Sequence, residues 1–227
     1  MIRNFKKFPY SSLDRQTHDG ERKYKTPTGN LPSVTTILAA TKSQESKMAL
    51  ESWRARLGND EADRVTREAA NVGTIMHNIL ENWILEKEYN PGNNIIHRQA
   101  KRMADEIKKN IQHNIQEIWG TEVNLYYPDL FAGTTDLVGV YRNKPAIMDF
   151  KQSNRPKKSE WVDDYRLQIV AYSMAHNILY GTEINTGAIF MCSRDGTFQC
   201  FELDESEFDE WSTKWAIKVE EFYGKLG

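Results

Sequence analysis

Through the first half of the chain, apolar positions recur every three or four residues; after Gly120 they tighten to the spacing of strands. Val34–Thr41 reads as a short helix capped by Ser33, which follows Pro32. Ser46–Leu57 is a second helix, ended by Gly58. The pair Asn59-Asp60 then caps a long amphipathic stretch, Glu61–Glu88, in which Val72, Ile75, Met76, Ile79, Leu80 and Trp83 recur at helical spacing. After an Asn90-Pro91-Gly92-Asn93 turn, another long helix is expected over Ile96–Trp119, stopped by Gly120. Residues 1–32, broken by Pro9, Pro27, Gly29 and Pro32, read as an arm or a set of short turns.

Beyond Gly120, Glu122–Tyr127, Thr134–Tyr141 and Ala146–Phe150 are short, rich in β-branched and aromatic residues, and separated by Pro128-Asp129 and Asn143-Lys144-Pro145 turns. A helix over Asp163–Leu179 ends at Gly181. Strands Thr186–Met191 and Thr197–Leu203 surround Asp195-Gly196, and Glu205–Tyr223 closes the chain as a helix. This order predicts an α+β fold, an α/β sandwich around a small mixed sheet. One domain is expected over 1–227: 33–119 mainly helical, 120–203 the sheet core, 205–223 the closing helix. No internal repeat, low-complexity tract or linker interrupts it.

At 227 residues, with 39% hydrophobic and 27% charged positions, the composition fits a soluble globular protein with one well-buried core. No apolar run reaches the length of a membrane span, and the N-terminus has a basic start without the apolar stretch of a secretory signal. Cys192 and Cys200 cannot make a disulfide framework or a four-cysteine cluster; they flank the Arg194–Thr197 turn and are expected on paired strands. The net charge of −2 argues against bulk electrostatic binding of duplex DNA, so any nucleic-acid contact must rest on local basic clusters. Four such clusters stand out: Arg22, Lys23 and Lys25; Arg54 and Arg56; Arg64 and Arg67; Arg155, Lys157 and Lys158. Phe5, Phe8, Tyr10 and Tyr24 interleave with the N-terminal charges in the manner of single-strand stacking surfaces, although a solvated basic face over core aromatics fits as well.

An acid-x-Lys triplet occurs four times, at Glu21, Glu45, Glu106 and Asp149, but only Asp149-Phe150-Lys151 ends an apolar strand. There, side chains two apart share a face, so Asp149 and Lys151 point together. Asp136 stands on the preceding strand, and the turn at 143–145 suggests a hairpin that makes the two carboxylates neighbours. Such a pair is costly unless a cation lies between, and hard divalent ions take oxygen ligands of this kind. The plainer alternative is two strand-end aspartates with a lysine salt bridge. His77 and Glu81 lie one turn apart on the long helix. Asp164, Gln168 and Tyr172 form a polar row beside the expected core stripe Leu167, Val170, Met174 and Ile178.

Gly73-Thr74-x-x-His77, Gly133-x-x-Asp136, Asp149-x-Lys151 and Gln168-x-x-x-Tyr172, in that order, resemble the RecB-like branch of the PD-(D/E)XK nucleases. Pro32-Ser33-Val34-Thr35-Thr36-Ile37-Leu38 and Trp53-Arg54 are similar to the mitochondrial genome maintenance exonuclease group and related phage exonucleases. The likeness covers roughly residues 32–180. It implies a restriction-endonuclease-like αβββαβ core with an added N-terminal helical lobe, and hydrolysis of DNA from an end, single strands preferred, in replication, repair or recombination. It also implies Mg²⁺ or Mn²⁺ as cofactor, one or two ions. His77, Asp136, Asp149 and the Phe150 carbonyl would be ligands, Lys151 the catalytic lysine, and Gln168 and Tyr172 would steady the site or the DNA. Glu122 stands where some relatives keep an additional acid. Arg54, Arg155, Lys157 and Lys158 are the phosphate-contact candidates, and residues 33–67 are expected to arch over the site.

Thr135 replaces the proline of the motif, and the cysteines for an iron–sulfur cluster are missing, so none is expected. No helicase motif is present; a helicase, a polymerase or a single-strand-binding or annealing protein is the expected partner class, with no membrane. The expected setting is the cytoplasm of a bacterium or phage-infected cell, with the mitochondrial matrix left open. Three rivals stand: a phage-type exonuclease resecting duplex DNA, a non-catalytic DNA-binding module that keeps the fold, and a structural or scaffold protein with accidental motifs.

Overall fold

The computed structural model describes residues 1–18 and 20–225; Asp19 and the last two residues of the 1–227 span lie outside the described residues. Five main strands carry the alternation read from the sequence: β5 (Ile115–Tyr127), β6 (Phe131–Tyr141), β7 (Lys144–Ser153), β8 (Thr186–Ser193) and β9 (Phe198–Leu203). With a short β1 (Ile2–Arg3) they form, among the described residues, a six-stranded mixed sheet ordered β1-β5-β6-β7-β8-β9. β7 and β8 run parallel, joined through helix α5 (Asp163–Tyr180), and the other central pairs are antiparallel.

The two faces of the sheet can be followed residue by residue along β7 and β8. Ile147, Ile189 and Met191 belong to one apolar cluster; Met148, Phe150, Ala188 and Phe190 belong to another. The first is covered by α5, by α1 (Val34–Ala40) and by α6 (Glu205–Gly224). The second is covered by α3 (Asn59–Ile84) and α4 (Ile95–Ile111). Because helices cover both faces, β8 is buried at every position, as a continuous apolar run requires. The result is a three-layer α/β arrangement around a mixed sheet, in line with the sequence reading at that level.

Several local expectations are corrected. The helix expected over Ile96–Trp119 ends at Ile111, and Ile115–Trp119 is the first half of β5. Ile111, Ile115 and Ile118 keep nearly helical spacing, yet each is buried in the same cluster from two different elements, so periodicity alone could not separate them. Residues 1–32 are not an unpaired arm. β2 (Asp14–His18), β3 (Glu21–Thr26) and β4 (Gly29–Pro32) form a second, antiparallel sheet. Every side chain of β2 is exposed, which removes the alternation that marks a half-buried strand. Phe8 and Tyr10 are packed against His176 and Tyr180, and Tyr24 is buried, so these are packing residues rather than a stacking surface. α3 is capped by Gly58, with no side-chain cap from Asn59 or Asp60.

The segment 33–67 does not act as one lobe. Ser33 caps α1 as expected, and α1 buries Val34, Ile37 and Leu38 in the α5-side core. α2 (Gln44–Leu57) has no buried side chain among the described residues. Ile178, expected in the core stripe of α5, is exposed. Cys192 and Cys200 are free thiols on the paired strands β8 and β9.

Candidate active site

β6 and β7 turn over Arg142 and Asn143, both in the left-handed region (φ 48 and 64), as a two-residue hairpin demands. Their register runs from Tyr141↔Lys144 to Leu137↔Met148 and stops. One residue further on, Asp136 and Asp149 would face each other, but there the Asp136 Oδ2 accepts a hydrogen bond from the Phe150 amide at 2.7 Å. A carboxylate has replaced the neighbouring strand as acceptor, and the strands part at this point.

The parting lets groups from both faces of the sheet meet. From the α3 side comes His77, whose Nδ1 lies 3.4 Å from Asp136 Oδ1. From the α5 side, Lys151 pairs with the Asp149 Oδ2, and its Nζ lies 3.4 Å from Gln168 Oε1. The Lys151 ammonium also lies 5.0 Å from the Tyr165 ring centroid. Asp149 is only 3% exposed, a position a carboxylate does not occupy without partners.

Burial pushes the Asp149 carboxyl upward, Lys151 opposes this, and Asp136 adds to it; the net direction is up. Burial acts the same way on Asp136, but His77, Lys151 and the Phe150 amide outweigh it and hold that carboxyl below its usual range. Desolvation works against charge on His77 and Lys151, and the surrounding carboxylates more than compensate, so both stand above their ordinary values. The two aspartates thus differ in character: one carboxyl is held below the usual range, the other above it beside its lysine.

Glu122 joins them from β5, opposite Asp136. One ligand atom each from His77, Glu122 and Asp136 all lie within 4.8 Å of one another. Its backbone is in the left-handed region (φ 51), unusual for a glutamate inside a strand. Burial, then Asp136, raises its carboxyl to about 7, even though the residue as a whole reaches solvent. This set of carboxylate oxygens and one imidazole fits a hard divalent cation such as Mg²⁺, and fits Mn²⁺ better because of the nitrogen.

Of the residues read from the sequence, Asp136, Asp149, Lys151, His77 and Gln168 come together here, with Glu122 beside them. Phe150 takes part through its amide, bound to Asp136. Tyr172 lies beneath the site and not on its surface: it is 4% exposed and packs against Gly133, where a Cβ would come within 2.6 Å of its ring. That contact explains the glycine of the Gly133-x-x-Asp136 motif by close approach rather than by a turn. Arg54 sits on α2 and bonds Asp63 at 2.6 Å. Arg155 is exposed on the loop after β7, and Lys157 is pinned by its backbone to the Gln199 side chain at 2.7 Å. Lys158 lies 5.4 Å from the Trp161 ring centroid and 3.9 Å from Glu160. Tyr165 was not singled out in the sequence; standing three positions before Gln168 on one helix face, it had a usable signal.

No family model matches the chain. Its similarity to curated proteins is to exonucleases. It is 31% identical over 208 residues to the Mus musculus protein named Mitochondrial genome maintenance exonuclease 1, a match covering 86% of this chain and 60% of that protein. The Homo sapiens protein of the same name is 27% identical over 207 residues, covering 86% and 59%. The chain therefore spans about three-fifths of the length of these relatives. A solved structure of a candidate exonuclease from Eubacterium rectale superposes with a TM-score of 0.49 at 14% identity, over 70% of this chain and 69% of that one. The resemblance read from the motifs extends along most of the chain.

Proposed function

We propose that the protein is a divalent-metal-dependent exonuclease acting on DNA, built on a PD-(D/E)XK core, with Asp136, Asp149 and Lys151 at its centre. The observation that carries this reading is the parted end of β6 and β7, where both carboxylates, the lysine, His77 and Gln168 converge. The plainer alternative, two strand-end aspartates with a lysine salt bridge, accounts neither for the imidazole beside Asp136 nor for the burial of Asp149. Support for the exonuclease class comes from the relatives' names. Single-stranded DNA with a free end, Mg²⁺ or Mn²⁺ as the ion, and a role in replication, repair or recombination are parts of the same proposal.

His77, Asp136 and Asp149 would hold the cation. When bound, it supplies Lewis-acid polarisation of the phosphate and a more acidic water. The chain's own part is positioning and charge. The carboxylates beside Lys151 favour its ammonium form, which would offset charge growing on a phosphate oxygen. Gln168 steadies the ammonium from α5, and Tyr165 covers it. Asp136 fixes the imidazole on one side and the β7 backbone on the other.

The test is digestion of end-labelled linear single- and double-stranded DNA, and of a circular single strand, with and without Mg²⁺. Lys151→Ala and Asp149→Asn are expected to lower cleavage by a factor on the order of 10³, about 4 kcal/mol. The melting temperature of Asp149→Asn is expected to stay or rise without metal, since a like charge is removed. Near-normal cleavage by either variant excludes the site. Rapid cutting of the circle excludes the exonuclease.

A further inference from the structure

The connection from β7 to α5 leads from the site to a cleft. After Lys151 it carries Arg155, Lys157 and Lys158, makes one 3₁₀ turn over Ser159–Trp161, and enters α5. There the Tyr165 ring lies 5.0 Å from the Lys151 ammonium on one side and walls the cleft on the other. The cleft measures about 590 Å³, bounded further by Trp161, by residues 41–46 between α1 and α2, and by Trp211 and Ile217 of α6. That volume falls within the roughly 300–1,000 Å³ of small-molecule sites.

Its walls are aromatic, and their charges cancel. Among the described residues three lysines, Lys42, Lys214 and Lys218, and three acids, Glu160, Asp163 and Asp164, line it. Several are already engaged: Asp163 pairs with Arg166, the Lys214 ammonium lies 4.1 Å from the Trp211 ring centroid, and Lys218 holds the Thr41 carbonyl. A phosphate gains little from such a lining, whereas a flat, uncharged aromatic finds rings to lie on. Trp161 is 49% exposed there, on a turn that is pinned from behind. Arg166 donates to the Ser159 carbonyl at 2.8 Å and to its hydroxyl, and Val162 is fully buried. A ring carried on such a turn has little freedom left to lose on binding.

The geometry points to this cleft as the place where a base of the bound single strand stacks on Trp161, entering past Tyr165 while the neighbouring phosphate stays at Lys151. The inference rests on the reading of the protein as a DNA exonuclease and deepens it by dividing the grip. Phosphates fall to the basic stretch after β7, and a base falls to the cleft. Stacking is indifferent to sequence, because every base has a π-face, and degradation along a strand needs that indifference.

The experiment measures, by fluorescence anisotropy, binding of a labelled single-stranded oligonucleotide and of its fully abasic counterpart to the metal-free full chain. Wild-type protein is expected to bind the normal strand more tightly than the abasic one. Trp161→Ala is expected to weaken binding of the normal strand by roughly 5- to 150-fold, the worth of one stacked base. Abasic binding and the salt dependence should stay as they were, since no phosphate contact is lost. Trp161→Phe should recover part of the loss. Unchanged binding of the normal strand by Trp161→Ala, or equal losses on both strands, overturns the stacking subsite and leaves the nuclease reading standing. Should that variant fail to fold, photocrosslinking of wild-type protein to strands carrying 5-iodouracil decides. A crosslink at Trp161 is expected, and crosslinks that all lie outside the cleft overturn the proposal. If wild-type protein binds no single-stranded DNA, the single-strand reading itself falls, and the subsite with it.

Discussion

Helices α2 and α5 are of similar length, and their sequences suggest the opposite of what they do. α2 carries Met48, Leu50 and Leu57, yet all three are exposed. α5 carries Gln168, Tyr172, Ser173 and His176, yet every residue from Leu167 to Ser173 is buried, as are Ala175 and His176. The layer a helix occupies decides this. α5 is sandwiched between the sheet and a cover of α1 and α6, so even its polar side must be buried. Gln168 meets Lys151, and His176 bonds Tyr10 at 2.8 Å and Thr182 at 2.7 Å. α2 packs along α3, where Arg54 pairs with Asp63, and most of its side chains are exposed. One helix sets the side chains of the candidate site; the other leaves most of its own exposed.

The contrast is broken most severely by Tyr172→Ala. Removing a buried aromatic from α5 is expected to cost about 3–5 kcal/mol in denaturant unfolding. A loss under about 1 kcal/mol would mean that α5 is not the scaffold claimed for it.

Acid should act next, again through α5. Burial lowers the His176 pKa to about 4, from an ordinary value of 6.5. Above 6.5 neither folded nor unfolded chain binds this proton, so stability is whole there. Between 6.5 and about 4 only the unfolded chain binds it, and roughly 3 kcal/mol is lost as pH falls. The urea midpoint of His176→Gln should lack that part of the pH dependence; an identical profile would refute the assignment.

Smaller effects belong to α2. Arg54→Ala is expected to cost at most about 1 kcal/mol of stability, since its pair with Asp63 is exposed. The slope of log affinity for single-stranded DNA against log salt should drop by about 0.7 if Arg54 holds a phosphate, and stay unchanged if it does not. Least of all, Leu50→Ala should move stability by no more than about 0.5 kcal/mol. A larger change would show that Leu50 packs against something after all.

What the sequence revealed follows the same division. Asp149 and Lys151 were legible because a strand's alternation puts them on one face, and Asp136 because a short turn links its strand to theirs. α5 was found with nearly its full span, but its polar row was open to a surface reading; Gln168 is turned to Lys151 on β7 and Tyr172 to Gly133 on β6, contacts between segments distant in the chain. β2 was invisible because it buries nothing. Ile115–Trp119 continued the apolar rhythm of the preceding helix, so strand and helix could not be told apart locally. The backbone of Glu122 left no trace in the sequence, since nothing about a glutamate announces a positive φ. Its position opposite Asp136 emerges only once the register of β5 and β6 is known.

The hydrogen bond from the Phe150 amide to Asp136 joins the sheet to the chemistry through a single carboxylate. A proton on that amide should exchange with solvent slowly while the carboxylate is in place, although no β6 carbonyl protects it. Anything that draws on the same carboxylate, a cation above all, reaches this amide first. Phe150 is therefore a natural reporter, one labelled nitrogen whose exchange rate and chemical shift register the state of the site without a mutation and without a substrate.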